Sequence, residues 1–174
     1  QLVQSYSIGT IDDFEMLESA QPSYLMSIRS TDRDCAGIVL VDCSVGSFHL
    51  GALKEEELKD CLVRFSPVEV LYFPGLVCTE HINLVKEICG SVLTRSNGKN
   101  TDWDPELSVR TIELIGGWDS LPSSLEGFPK EAIAALGGCV SYLEYHKIGG
   151  SLLKMEKFSG IEEAGSDKFM FLDA

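Results

Sequence analysis

The stretch Gly37–Leu53, GIVLVDCSVGSFHLGAL, decides how this chain reads. Ile38 to Cys43 is β-branched and apolar enough for a strand covered on both faces. Ser44 to Gly46 turns. Ser47 to Leu53 then alternates, with Phe48, Leu50 and Ala52 on one face and His49, Gly51 and Leu53 on the other. The pattern is a buried hairpin, yet Asp42 stands beside its turn. That carboxylate either does chemistry or shapes the turn: an Asp before Ser-Val-Gly can accept hydrogen bonds from turn amides and fix the register, while Gly46 supplies the positive φ such a turn needs.

Outward from the hairpin, Tyr24 to Ile28 (YLMSI) has strand composition, and Ser30 to Asp34 is a polar turn, so three strands form an antiparallel meander. The period then changes. In LKEEELKDCLVRF, Leu58, Cys61, Leu62 and Phe65 fall on one helical stripe, with acids in the first turn where the macrodipole favours them. Pro67 ends that helix. Val68 to Phe73 is a short strand closed by Pro74-Gly75. Thr79 is the expected N-cap of a helix carrying Ile82, Val85, Ile88 and Cys89, with Gly90 as its stop. Ser91 to Arg95 is another strand. Asp104-Pro105 opens a helix to about Ile115, Gly116 to Gly127 is a loop, and the longest helix starts near Pro129 and runs to about Ile148. Adjacent Gly137 and Gly138 inside it cost roughly 1 kcal/mol each against alanine; a close approach to another element, or a kink, would account for them. The order β-β-β-α-β-α-β followed by helices gives an α/β fold, a mixed sheet of the ribonuclease H type flanked by helices.

Composition narrows the function. The chain has 174 residues and a net charge of −13, with 14 basic residues against 27 acidic ones. Such a surface repels phosphate backbones, so direct nucleic-acid binding by this chain is not expected. The densest basic window, Lys147 to Lys157, holds three lysines. No apolar run approaches the roughly 20 residues of a membrane span. Six cysteines without a C-x-x-C pair read as reduced, buried thiols of an intracellular protein. His49, His81 and His146 are too scattered for a zinc site. His146 reads as a surface residue or a C-terminal dipole partner. The run Glu55-Glu56-Glu57 reads as a solvated first turn or a landing site for a basic partner. Ser44 and Ser47 have no triad motif around them. The start at Gln1 and the end in FMFLDA read as a piece of something longer.

Six stretches, in order along nearly the whole chain, resemble the connector domain of MutS-family DNA mismatch-repair proteins. SIGTIDD, with Gly9 and Thr10, resembles the family's T-P-G-T segment, without its proline. PSYLMSI, with Tyr24 and Leu25, resembles N-Y-L-x-A-I. The hairpin with Asp42, Gly46 and Phe48 resembles G-[IL]-[AC]-x-x-D-x-S-T-G-E-F, with Ser47 in place of the acid. FSPVEVLY resembles x-P-x-E-[IV]-[IL]. AIAALGGCVSYLEYHK, with Gly137 and Gly138, resembles A-x-x-A-[AL]-G-x-[AC]-[LI]-x-Y-[LV], and is more similar to the eukaryotic Msh proteins, nearest the mismatch-binding partner of the nuclear heterodimer. FMFLDA, with Leu172 and Asp173, resembles F-M-x-L-D-x. Residues 96–128 follow no such pattern.

The resemblance implies a lead-in from a preceding mismatch-binding domain at 1–23, a connector at 24–150 and an exit towards the core and lever at 151–174. It implies contacts with a partner Msh subunit and MutL-type proteins, a nuclear location, and no catalysis or cofactor on this chain. ATP and Mg belong to another domain of the family. The mismatch reader's Phe-x-Glu does not occur here, and Gly98-Lys99 is followed by Asn100, without the spacing of a phosphate loop. The competing reading is a ribonuclease H-like metal nuclease with Asp42 as its first carboxylate; its neighbour strand supplies only Glu69.

Overall fold

A computed structural model describes residues 22–162. Gly9, Thr10, Leu172 and Asp173 lie outside the described residues. A six-stranded mixed sheet has the order β5-β4-β1-β2-β3-β6. Its strands are β1 Tyr24–Asp32, β2 Cys35–Asp42, β3 Ser47–Leu53, β4 Glu69–Tyr72, β5 Val92–Arg95 and β6 Lys157–Gly160. β1, β2 and β3 form the antiparallel meander; β4 runs parallel to β1, β5 to β4 and β6 to β3.

Helices cover both faces. On one lie α1, Glu55–Phe65, and α2, Thr79–Ile88. Leu58, Cys61, Leu62, Phe65 and Val85 pack there against Met26, Ile28, Ile38, Leu40 and Val70. Buried His81 of α2 ties this layer to the β1–β2 hairpin: its Nδ1 meets Ser30 Oγ at 2.9 Å and its Nε2 meets the Arg33 carbonyl at 3.1 Å. The Arg33 carbonyl can only accept, so Nε2 donates to it; in the neutral ring Nδ1 then accepts from Ser30 Oγ, whose oxygen in turn accepts from the Cys78 amide.

The other face holds α3, Ser108–Gly116; the short α4, Ser123–Glu126; α5, Lys130–Tyr145; and α6, Gly149–Leu153. α5 lies directly on the sheet. Leu25, Val39, Val41, Phe48 and Leu71 meet Ala132, Ala135, Leu136 and Val140, and Ser27 Oγ donates to the Ala135 carbonyl at 2.8 Å. Gly37 makes the approach possible: a Cβ there would lie 2.1 Å from the Glu131 carbonyl oxygen.

Several boundaries differ from expectation. β1 continues to Asp32 through the expected turn, because Arg29 and Asp32 still pair across the hairpin with Gly37 and Cys35. Cys78, not Thr79, caps α2. Asp104 does not open α3 directly: its Oδ2 accepts the Glu106 and Leu107 amides at 2.9 Å each, making a turn from which Ser108 starts the helix. α4 interrupts the expected loop at 116–127. α5 ends at Tyr145, where His146 leaves helical geometry and Lys147 takes a positive φ. β6 was not expected at all.

Candidate functional site

Asp42 ends β2 and is buried. Its Oδ1 accepts the Ser44 amide at 3.0 Å and the Ser44 hydroxyl at 2.6 Å. Its carbonyl accepts the amides of Val45 and Gly46 at 3.3 and 2.9 Å. Gly46 sits at φ +74°, the left-handed region that favours glycine. These bonds close the β2–β3 turn. Asp42→Asn keeps an acceptor oxygen, so unfolding free energy should fall by only about 0.5–1.5 kcal/mol, read from the denaturant midpoint; a larger loss would mean that the charge itself holds the turn.

Glu69 opens β4 and is also buried. Its Oε2 accepts Tyr142 Oη at 2.8 Å and Thr94 Oγ1 at 2.6 Å, while Oε1 has no hydrogen-bond partner. Burial pushes its pKa above the ordinary 4.5, and the two hydroxyl hydrogen bonds oppose that rise. The folded chain therefore holds this proton more tightly than the unfolded one. Its share of stability falls as pH rises from the ordinary carboxylate value through the raised one, and returns on acidification. Glu69→Gln removes that slope; melting curves across the window should show the variant gaining on the wild type as pH rises. An unchanged pH profile would refute this.

The two carboxylates point away from each other. Tyr24 pairs with Asp42, while Leu25 pairs with Val41 on one side and Glu69 on the other. Successive side chains of a strand take opposite faces. Leu25, Val41 and Glu69 thus face α5, where Tyr142 reaches Glu69. Tyr24 and Asp42 take the α1 face, where the Tyr24 ring meets Phe65 edge-on at 5.5 Å. Burial, and then the Asp42 charge, push the Tyr24 hydroxyl pKa up. Among the described residues no group of three His, Cys, Asp or Glu side chains is placed to hold a metal ion.

The cysteines are free thiols. Burial pushes Cys43 and Cys61 up to about 12 and Cys139 well above its usual range, so these three are poor nucleophiles at neutral pH. His146 is half-buried between the rings of Tyr142 and Tyr145, at 4.8 and 5.3 Å; burial lowers its pKa, which argues against the charged dipole partner. Within the acidic run, Glu57 accepts the Lys54 amide at 2.8 Å and Glu55 pairs with Arg33 at 3.2 Å.

Gly137 and Gly138 meet the segment without a family pattern. The chain there makes a 3₁₀ turn, Asn100–Trp103, before α3. A Cβ on Gly137 would lie 2.3 Å from the Asp102 carbonyl oxygen and 2.6 Å from Ser108 Cβ; one on Gly138 would lie 2.1 Å from Trp103 Cε2. Asp102 clasps the same seam, its Oδ1 accepting Thr111 Oγ1 and its Oδ2 accepting Ser141 Oγ, each at 2.9 Å. The glycine pair therefore admits a neighbouring turn and helix. Phe48, the other hairpin motif residue, is buried against Phe158 of β6 at 5.5 Å. Nothing local along the chain marks the Glu69–Tyr142 bond, whose partners stand 73 residues apart.

Residues 23–155 match the family model of MutS domain II. The chain is 26% identical over 198 aligned positions to the human DNA mismatch repair protein Msh6, covering 94% of this chain and 14% of that protein. It is 27% identical over 152 positions to the DNA mismatch repair protein MutS of Roseobacter denitrificans, covering 85% of this chain and 16% of that protein. A MutS of a Ruegeria species is 26% identical, with the same coverage. The chain thus spans only about a seventh of these relatives' length. By its match to domain II across most of its length, the chain belongs to the MutS family of DNA mismatch-repair proteins.

Proposed function

We propose that this chain is a non-catalytic connector: it joins a mismatch-binding domain to the core of a MutS homologue of the eukaryotic Msh type and offers a surface to a partner Msh subunit and to MutL-type proteins. The domain II match over residues 23–155 carries this reading. The connector proper is residues 24–150, with 1–23 leading in and 151–174 leading out, although β6 extends the sheet to Gly160. The strand order, an antiparallel meander with β4 and β5 added parallel beside β1, supports a ribonuclease H-like sheet. Such a sheet does not bring the chemistry with it. Asp42 and Glu69 on opposite faces count against a shared metal pair, and the net charge of −13 favours protein contacts over DNA. ATP and Mg are assigned to another domain of the whole protein, which works in the nucleus.

Surface plasmon resonance with this chain immobilised tests the reading. A MutL-type protein or a partner Msh subunit should bind saturably, and duplex DNA should not. DNA binding with neither protein bound would refute it.

A further inference from the structure

The loop Ser96–Lys99 leaves the sheet edge at the end of β5 and carries the dipeptide Asn97-Gly98. The chain has three asparagines, at 83, 97 and 100, and only Asn97 precedes a glycine. Asn97 and Gly98 are both exposed and lie outside helix and strand. Among the described residues no hydrogen bond holds the Asn97 side chain. The Gly98 amide donates to the Ser96 hydroxyl at 3.1 Å, a surface bond that water can replace. The other two asparagines are better guarded. Asn83 lies within α2 before Leu84, where the helix ladder holds the following amide. Asn100 opens the 3₁₀ turn before Thr101, whose branched side chain crowds its own amide.

These features suit an intramolecular reaction. Glycine has no Cβ to shield its amide nitrogen, and an unheld side chain can bring Asn97 Cγ within attacking distance of it. Once a base removes the Gly98 amide proton, the nitrogen attacks Cγ. The N–Cγ bond forms, the Cγ–Nδ2 bond breaks and ammonia leaves, giving a five-membered succinimide. Water then opens the ring at either carbonyl. Opening at Cγ gives aspartate; opening at the main-chain carbonyl gives isoaspartate, with the backbone running through Cβ and Cγ. One water enters and one ammonia leaves. Exposed Arg95 and Lys99 on either side favour the anionic nitrogen. Asp102 opposes it, since its Oδ2 would lie 3.1 Å from a Cβ on Gly98. The product matters because both flanks are pinned. The Ser96 amide donates to the Tyr72 carbonyl at 2.7 Å, and its hydroxyl accepts Trp103 Nε1 at 3.3 Å. The Lys99 amide donates to Asp102 Oδ2 at 3.3 Å. An extra main-chain atom between these anchors must displace one of them. We infer that Asn97 is a site of spontaneous deamidation, and that its isoaspartate product loosens the Ser96–Trp103 contact beside the glycine pair of α5.

Ageing the folded chain at mildly alkaline pH, followed by peptide mapping with mass spectrometry, tests this. The peptide holding Asn97 should convert from amide to acid several-fold faster than those holding Asn83 and Asn100, with isoaspartate as the larger product. Asn97→Gln, at an exposed position, should abolish conversion there, because glutamine would have to close a larger ring. Equal conversion at Asn97 and Asn100, or none at Asn97, overturns the site. Melting curves test the consequence: aged wild type should unfold at a lower temperature than fresh protein, while Asn97→Gln should age without change. The Asn97→Asp variant separates charge from chain lengthening and should melt close to fresh wild type. Full conversion with an unchanged Tm would overturn the loosening of the Trp103 contact.

Discussion

Trp103→Ala should lower the unfolding free energy by about 3–5 kcal/mol, the range for deleting a large buried aromatic side chain. Trp103 is fully buried. Its ring fills the space left by the missing Gly138 side chain, lies 6.5 Å from the Phe73 ring between centroids, and hydrogen-bonds Ser96 Oγ through Nε1 at 3.3 Å. Whole domains are stable by only about 5–15 kcal/mol, so the variant should sit near its unfolding threshold at physiological temperature. The converse change, Gly138→Leu, crowds the same contact and should cost roughly 1–3 kcal/mol. A double-mutant cycle identifies the contact. Gly138→Ala alone strains the seam, but beside Trp103→Ala its methyl enters a vacated space, and the double variant should be more stable than the sum of the singles. Additivity to within about 0.5 kcal/mol would place the two residues out of contact.

Gly37→Ala is the second. On propensity alone, replacing a glycine inside a strand stabilises by roughly 0.5–1 kcal/mol. Here the sign should reverse. The new Cβ would lie 2.1 Å from the Glu131 carbonyl oxygen and 3.0 Å from the Ala132 amide nitrogen. Both are backbone atoms and cannot swing aside as a side chain would, so the first turn of α5 must lift from β2. That disturbs the Ser27–Ala135 bond and the packing of Ala132 behind it. A loss of about 1–3 kcal/mol is expected, or about 2–4 °C in Tm for each kcal/mol in a chain of this size. A raised Tm would mean that α5 does not rest on Gly37.

The meander, α1 and the two parallel strands were legible because each is marked locally. The period changes from two to 3.6 at Leu58, and Gly46, Pro67 and Pro74-Gly75 punctuate the boundaries. The glycine pair in α5 was legible as a close approach, since nothing local compensates its cost. What approaches it was not, because Trp103 and Ser108 come from the segment without a recognisable pattern. β6 escaped notice for a different reason: four residues, KFSG, carry too little alternation, and their strand state depends on the free edge of β3. Gly37 sits in an apolar run where a glycine is the one misfit, a sign of close backbone approach that could have been read. The environment of Glu69 could not, since Thr94 and Tyr142 are both distant in sequence.

Asp42 and Glu69 are taken up by turn and hydroxyl donors, and we propose that neither ligates a catalytic metal. Calorimetric titration of this chain with Mg²⁺ and Mn²⁺, beside a nucleic-acid cleavage assay, decides between a structural and a metal-binding role. Neither saturable binding nor cleavage is expected, with Asp42→Asn and Glu69→Gln indistinguishable from wild type in both. Stoichiometric metal binding with cleavage, lost in either variant, would contradict it.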